Sequence, residues 1–127
     1  MKRIKITAGT ITLEATLTDT DCAEAIWNIL PLATKINTWG DEIYFSIPLH
    51  HELDATAREV VEVGDLGYWP EGPAGCIFFG PTPISKGKEI RPASAVNIIG
   101  KAIGDLTSLR TVPPGAKITI EQIKKDA

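Results

Sequence analysis

The 127-residue chain is poor in cysteine, has no long apolar run and has no excess of basic residues. Its two cysteines, Cys22 and Cys76, are too few for a disulfide framework and lack the C-x-x-C spacing of metal or redox sites. We expect both to be small buried side chains. With 13 Lys and Arg against 16 Asp and Glu, the net charge of −3 argues against a nucleic-acid partner, because phosphates attract clustered positive charge.

No apolar run approaches the roughly 18 residues that a membrane span needs. The first residues, MKRIKITAG, alternate charge with isoleucine where a signal peptide would be continuously apolar. We therefore expect a cytoplasmic protein without a membrane partner. The length and the 43% hydrophobic content predict a single domain over residues 1–127 with one core, and they exclude global disorder.

What the chain has in abundance is β-branched residues, with 17 Ile, 13 Thr and 5 Val. Their stiff side chains suit a pleated surface better than a helix, so we predict a mainly β protein. Glycine and proline are also unevenly placed, since 12 of the 20 fall between Gly64 and Gly100. We expect the loops that carry function to lie there.

The N-terminal segment predicts a β-hairpin with Ala8 and Gly9 as its turn. That register would place Ile6 opposite Ile11 on an apolar face and Lys5 on a wet one.

The segment TDTDCAEAIWNILP predicts the one clear helix, capped by Asp21, with Glu24 completing a capping box, and stopped by Pro31. Its apolar residues recur at helical spacing: Ala23, Ile26, Trp27 and Leu30.

A second hairpin is predicted around the turn Gly40-Asp41, with Ile36 opposite Phe45. This register leaves one face polar and aromatic, and its residues are Lys35, Asn37, Trp39, Glu42, Tyr44 and Ser46. Such a face indicates a place where a ligand binds. The alternative is an outer face that packs under a loop.

Further along, AREVVEVGD and CIFF predict two strands, and SAVNIIGKAIG predicts a strand interrupted at Gly100. DLTSLRTV predicts a short helical turn capped by Asp105, and AKITIEQI predicts a last strand.

Three adjacent residues are candidate metal ligands: His50, His51 and Glu52. However, neighbours in an extended segment point to opposite faces and no third ligand follows at metal spacing, so we predict no metal and no cofactor.

Several motifs, taken in order, resemble those of the cyclophilins. CAEAI is similar to the T-A-E-N-F of their first helix, and Gly64-x-Leu66, Gly72-Pro73 and IFF are similar to G-x-L-S-M, G-P and Q-F-F. VNIIGK followed by Gly104 is similar to V-V-F-G-K-V-x-x-G, and KITI matches their final strand. The resemblance covers most of the chain and implies a closed eight-stranded β-barrel capped by helices.

The chain is shorter than a typical cyclophilin. Its segments TWGDEIYF and VGDLGYWP-x-G resemble more closely a small prokaryotic group of cyclophilin-like proteins of unassigned function. For that group the resemblance implies the barrel without a known reaction.

The cyclophilins catalyse prolyl isomerisation with an arginine from an F-H-R motif, which this chain does not repeat in its second hairpin. The outward residues nearest that position are Lys35 and Asn37, and lysine lacks the planar fork of arginine. Val96 stands where the family has a histidine. The lip of the pocket is replaced by Trp69 and Pro70. We therefore do not expect an efficient isomerase.

We expect instead a groove re-lined with aromatic and acidic groups that binds a small molecule or peptide. The candidate residues are Trp39, Glu42, Tyr44, Tyr68, Trp69, Phe79 and Arg91. A carboxylate among aromatic rings favours an amine or another cation, and Arg91 could pair with an anion. Two alternatives stay open: an isomerase whose donor is Arg58 or Arg91, and an enzyme that uses Glu42 as its acid or base. Because a closed barrel has no free edge, we expect a monomer.

Overall fold

The computed structural model describes residues 2–123. Within that range the mainly β fold is confirmed, with nine strands, one α-helix and one 3-10 helix. The strands are β1 (Arg3–Ala8), β2 (Ile11–Leu17), β3 (Leu32–Lys35), β4 (Asn37–Thr38), β5 (Glu42–Ser46), β6 (Asp65–Trp69), β7 (Ala74–Phe78), β8 (Asn97–Ile103) and β9 (Lys117–Ile123). The helices are α1 (Asp21–Asn28) and the 3-10 helix (Thr107–Thr111).

The strands form one antiparallel sheet in the order β3-β9-β1-β2-β8-β6-β7-β5-β4. Its two outermost strands, β3 and β4, follow one another in the chain with only Ile36 between them. The sheet therefore curls into a nearly closed barrel. The backbone of Ile36 bonds to Ala116 and Gly115 instead of a strand, and this break makes the strand count nine rather than the expected eight.

The first hairpin forms with a different turn from the predicted one. Ala8 pairs with Ile11, so Gly9 and Thr10 make the turn, and Ile6 lies opposite Leu13 instead of Ile11. Gly9 has a φ of 58°, a left-handed conformation that glycine adopts without steric cost. The register differs from the prediction by two residues, which leaves every side chain on its predicted face.

The predicted register of the second hairpin is confirmed between β4 and β5, but Ile36, which was predicted opposite Phe45, is not part of β4. Thr38 pairs with Ile43, and the N–H of Trp39 donates to the carbonyl of Glu42 at 2.9 Å. Gly40 takes a φ of 62°, as the turn requires. Trp39 and Glu42 are thus fixed beside one another.

Helix α1 begins one residue earlier than its predicted cap implied. Thr20, not Asp21, is the N-cap, and its Oγ1 accepts a hydrogen bond from the N–H of Ala23 at 3.2 Å. Asp21 and Glu24 lie in the first turn, where a negative charge complements the helix dipole. The helix ends at Asn28, before Pro31.

Two predicted strand features in the middle of the chain are wrong. The segment AREVVEVGD forms only isolated bridges, from Arg58 to Val96 and from Val61 to Ile90, before β6 begins at Asp65. Gly100 does not interrupt β8, which runs through it. The other predicted elements of this half are present: a buried strand at CIFF, a helical turn and the last strand. The N-cap of the helical turn is Leu106 and not the predicted Asp105, although Asp105 accepts from the N–H of Thr107 at 3.0 Å.

Buried apolar side chains lie on both sides of strands β5, β6 and β7. The larger group fills the barrel and includes Phe45, Tyr68 and Ile77. The smaller group, here called the outer cluster, lies on the other side of these strands and consists of Val61, Cys76, Phe78, Ile90 and Val96, with Tyr44, Trp69 and Ile98 packed against it. Among residues 2–123, no helix has the length and apolar character to cross a membrane.

Candidate functional site

A cavity of about 270 Å³ lies beside the outer cluster, between the second hairpin and the segment that leads into β8. Eight residues line it: Trp39, Glu42, Tyr44, Trp69, Cys76, Pro92, Ala93 and Val96. Three strands and two loops contribute to this lining. We call this cavity the outer pocket.

Strand alternation explains why these side chains meet. Tyr44 of β5 pairs with Cys76 of β7, and Glu42 lies two residues before Tyr44, so all three point to the same side of the sheet. On β6, Trp69 points to this side and its neighbour Tyr68 points to the other. One side of the outer pocket is therefore formed by three neighbouring strands, β6, β7 and β5.

Glu42 is the one charged group among the described residues that line the outer pocket. The residue is only 6% exposed, and its Oε1 atom has no hydrogen-bond partner among the described residues. Burial raises the pKa of this carboxyl to about 7, and a hydrogen bond with Cys76 partly offsets the rise. A buried acceptor without a partner costs free energy, so the site favours a ligand that donates to it.

Cys76 lies beside Glu42 at the base of the outer pocket. Burial and the neighbouring carboxylate raise the pKa of its thiol well above the ordinary value. The thiol therefore stays protonated at neutral pH and acts as a small hydrogen-bond donor rather than as a nucleophile.

The ring of Trp69 is held from two sides. Its Nε1 donates to the Oγ of Ser94 at 2.6 Å, and Ser94 in turn donates to the carboxylate of Glu71. The ring also packs on Gly72, where a Cβ atom would lie 2.4 Å from the ring carbon Cζ3. Trp69 is thus a pre-positioned aromatic wall of the outer pocket.

The structure brings together four of the seven candidate residues, namely Trp39, Glu42, Tyr44 and Trp69. The other three lie elsewhere. Tyr68 and Phe79 belong to the barrel core, and the hydroxyl of Tyr68 donates to the carbonyl of Leu49 at 2.8 Å. Arg91 points away into an ion pair with Glu89, in which Nε lies 2.7 Å from Oε2.

Other residues of the predicted polar face, Lys35, Asn37 and Ser46, are exposed and do not line the outer pocket. Sequence reasoning missed four lining residues: Cys76, Pro92, Ala93 and Val96. Cys76 and Phe78 alternate with Ile77 and Phe79 in the predicted CIFF strand, and this pattern could have indicated that Cys76 faces away from the barrel core. The resemblance to the cyclophilins places Val96 at the position of a pocket histidine, but no local pattern indicates that Pro92 and Ala93 reach this face.

The structure is a nearly closed antiparallel barrel with a capped helix. Its outer side carries an apolar pocket with one buried acid. The family model described as "Cyclophilin-like" matches residues 2–121. The chain belongs to this cyclophilin-like family, as the motifs predicted.

A solved structure has the same fold. The chain is similar to the hypothetical protein AF2241 from Archaeoglobus fulgidus, whose solution structure is known, with 39% sequence identity and a TM-score of 0.82. The match covers 96% of this chain and 95% of that one. A search of the curated proteins finds no match.

Proposed function

We propose that this protein binds a small organic cation, a protonated or quaternary amine, in the outer pocket. The observation that carries the proposal is the buried carboxyl of Glu42, whose Oε1 atom lacks a partner in a cavity walled by aromatic rings. A protonated amine supplies both the positive charge and an N–H donor for this atom, whereas a quaternary amine supplies the charge alone. Without a cationic ligand, the ionised carboxylate is a cost to the fold.

The aromatic walls support the same ligand class. Trp39, Tyr44 and Trp69 line the outer pocket together with Glu42. The face of an aromatic ring attracts a cation, with about 2 kcal/mol or more available where the pair is desolvated. A neutral ligand of the same shape would gain only the apolar contacts.

The size of the outer pocket limits the ligand. Its volume of about 270 Å³ lies just below the range of roughly 300–1,000 Å³ that is typical of pockets for drug-sized molecules. We therefore expect a compact amine, or one amine side chain of a longer ligand.

Prolyl isomerisation is a weaker proposal for this pocket. Among the described residues that line it, none is an arginine. Of the two predicted donors, Arg58 lines a different cavity, and Arg91 is engaged by Glu89. Acceleration of X-Pro isomerisation in a chymotrypsin-coupled assay, lost in Arg91→Ala, would reverse this ranking.

Thermal denaturation at pH 8 tests the proposal with four ammonium compounds: methylammonium, trimethylammonium, choline and benzylammonium. A ligand at 100 times its Kd adds ~2.7 kcal/mol to the free energy of unfolding, so at least one compound should raise Tm by several degrees. For choline, the neutral isostere 3,3-dimethylbutan-1-ol is the matched control. It should raise Tm much less, because it has the same shape and the same hydroxyl donor but carries no positive charge to pair with the carboxylate or the aromatic rings.

Two further variants locate the effect. Trp39→Leu should weaken amine binding by roughly tenfold, which corresponds to the loss of one cation–π contact. Trp27→Leu removes a tryptophan of α1 that lies outside the outer pocket, and it should leave the affinity unchanged. Equal shifts by choline and its neutral isostere, or no shift by any of the four amines, would contradict the proposal.

A further inference from the structure

Three metal-ligating side chains meet at the helical end of the barrel, away from the outer pocket. The Sγ of Cys22, a ring nitrogen of His51 and a carboxylate oxygen of Asp54 all lie within 4.8 Å of one another. Cys22 is buried, and the other two are half-buried. The cluster is therefore open to solvent on one side and closed by the thiol on the other.

Cys22 comes from a fixed element. It is the second residue of α1 and is fully buried. His51 and Asp54 come from the irregular segment between β5 and β6. Along the sequence, Cys22 lies 29 residues before His51 and 32 before Asp54, so only the fold brings the three together.

Two fully buried polar residues hold the segment that carries His51 and Asp54. The hydroxyl of Tyr68 accepts from the N–H of His51 at 3.0 Å. The Oδ1 of Asn97 accepts from the N–H of Asp54 at 2.8 Å, and its Nδ2 donates to the carbonyl of Glu52 at 2.8 Å. Tyr68 and Asn97 are register partners on β6 and β8, so one rigid pair positions both ligand-bearing residues.

The side chains of His51 and Asp54 are also oriented. The Nδ1 of His51 lies 2.8 Å from the carbonyl of Glu52, which accepts only, so Nδ1 donates and the neutral ring keeps its lone pair on Nε2. Metal-binding histidines commonly donate their second ring nitrogen to a carbonyl in this way. The Oδ1 of Asp54 accepts from the N–H of Thr56 at 2.8 Å, which fixes the carboxylate.

We propose that Cys22, His51 and Asp54 form a binding site for Zn²⁺ or a similar divalent transition-metal ion. Thiolate, imidazole and carboxylate are the ligands that such ions take, at about 2.0–2.3 Å. Binding draws the three atoms together, and the thiol proton of Cys22 passes to solvent as the sulfur–metal bond forms. Three protein ligands leave the fourth position of a tetrahedral ion for water or substrate.

Titration of the metal-free protein with Co²⁺ tests the site, because Co²⁺ reports both its ligands and its geometry. We expect one ion per chain, a thiolate-to-cobalt charge-transfer band and the intense visible bands of a four-coordinate ion, all removed by Zn²⁺. Cys22→Ser should abolish the charge-transfer band. His51→Ala and Asp54→Asn should each weaken binding by more than roughly tenfold.

The matched control is His50→Ala, which removes the adjacent exposed histidine and should bind Co²⁺ as the wild type does. Circular dichroism shows whether Cys22→Ser has folded, and Asp54→Asn keeps the proposal testable if it has not. The proposal is wrong if the wild type shows no charge-transfer band, if the band survives Cys22→Ser, or if His50→Ala weakens binding as much as His51→Ala.

Discussion

Between pH 4 and pH 8, the free energy of unfolding of Glu42→Gln should rise by about 3 kcal/mol relative to that of the wild type. Burial raises the pKa of the folded carboxyl to about 7, above its ordinary value of 4.5. At pH values between these two pKa values, Glu42 loses its proton in the unfolded chain and keeps it in the folded protein. The stability of the folded wild type therefore falls as pH rises through this window and levels off above it.

Urea unfolding at pH 4, 6 and 8 measures this effect as the difference between the wild type and Glu42→Gln, so that other carboxyl groups cancel. Glu121→Gln, which changes an exposed glutamate on β9, is the matched control and should follow the wild type. A difference between the wild type and Glu42→Gln that does not change with pH would mean that Glu42 ionises normally in the folded protein.

Gly100→Ala should destabilise the protein by roughly 3 kcal/mol or more, because overpacking against backbone leaves little room to relax. Gly100 pairs with Leu17 across β2 and β8. A Cβ atom at this position would lie 2.3 Å from the carbonyl oxygen of Thr16, a backbone atom of the neighbouring strand. One of the two strands would have to move.

Gly104→Ala is the control for this prediction. Gly104 has a φ of +98° and no heavy atom within 4 Å of an added Cβ, so alanine there meets backbone strain alone, about 1–2 kcal/mol. Chemical denaturation of both variants compares them directly. If Gly104→Ala costs as much as Gly100→Ala, the close approach of β2 to β8 is not what requires glycine.

Local patterns in the sequence predicted the fold well where the turn chemistry left one solution. In the second hairpin, Gly40 at positive φ leaves one register, and that register is observed. In the first hairpin the turn lies one residue later in the chain than predicted. The pairing register therefore shifts by two residues, and because side chains alternate with a period of two, each one stays on its predicted face of the sheet. The segment AREVVEVGD has the composition of a strand, yet only Arg58 and Val61 form bridges there.

The candidate site could be predicted only in part because its residues meet through long-range pairing. Trp39, Glu42 and Tyr44 lie on one hairpin, so alternation was enough to group them. Tyr68 and Trp69 are both predicted site residues, but adjacent residues of β6 face opposite sides of the sheet, and of these two only Trp69 reaches the outer pocket.

The cluster of Cys22, His51 and Asp54 could not be predicted from the sequence for the same reason. Spacing along the chain groups His51 with its neighbours His50 and Glu52, and neither neighbour belongs to the cluster. The fold instead brings the ring of His51 to Cys22 and Asp54, because Tyr68 and Asn97 hold that segment on the end of the barrel.

The pKa of Glu42, measured with and without an amine, is the sharpest test of amine binding in the outer pocket. A carbon-detected NMR titration, with the Glu42 resonance assigned from Glu42→Gln, should give a midpoint near the pKa of about 7. A saturating amount of the amine that gives the largest Tm shift should lower this midpoint by a unit or more, because the ligand stabilises the carboxylate. A midpoint near 4.5 would contradict the raised pKa of Glu42, and a midpoint that the amine leaves unchanged would contradict the role of Glu42 in amine binding.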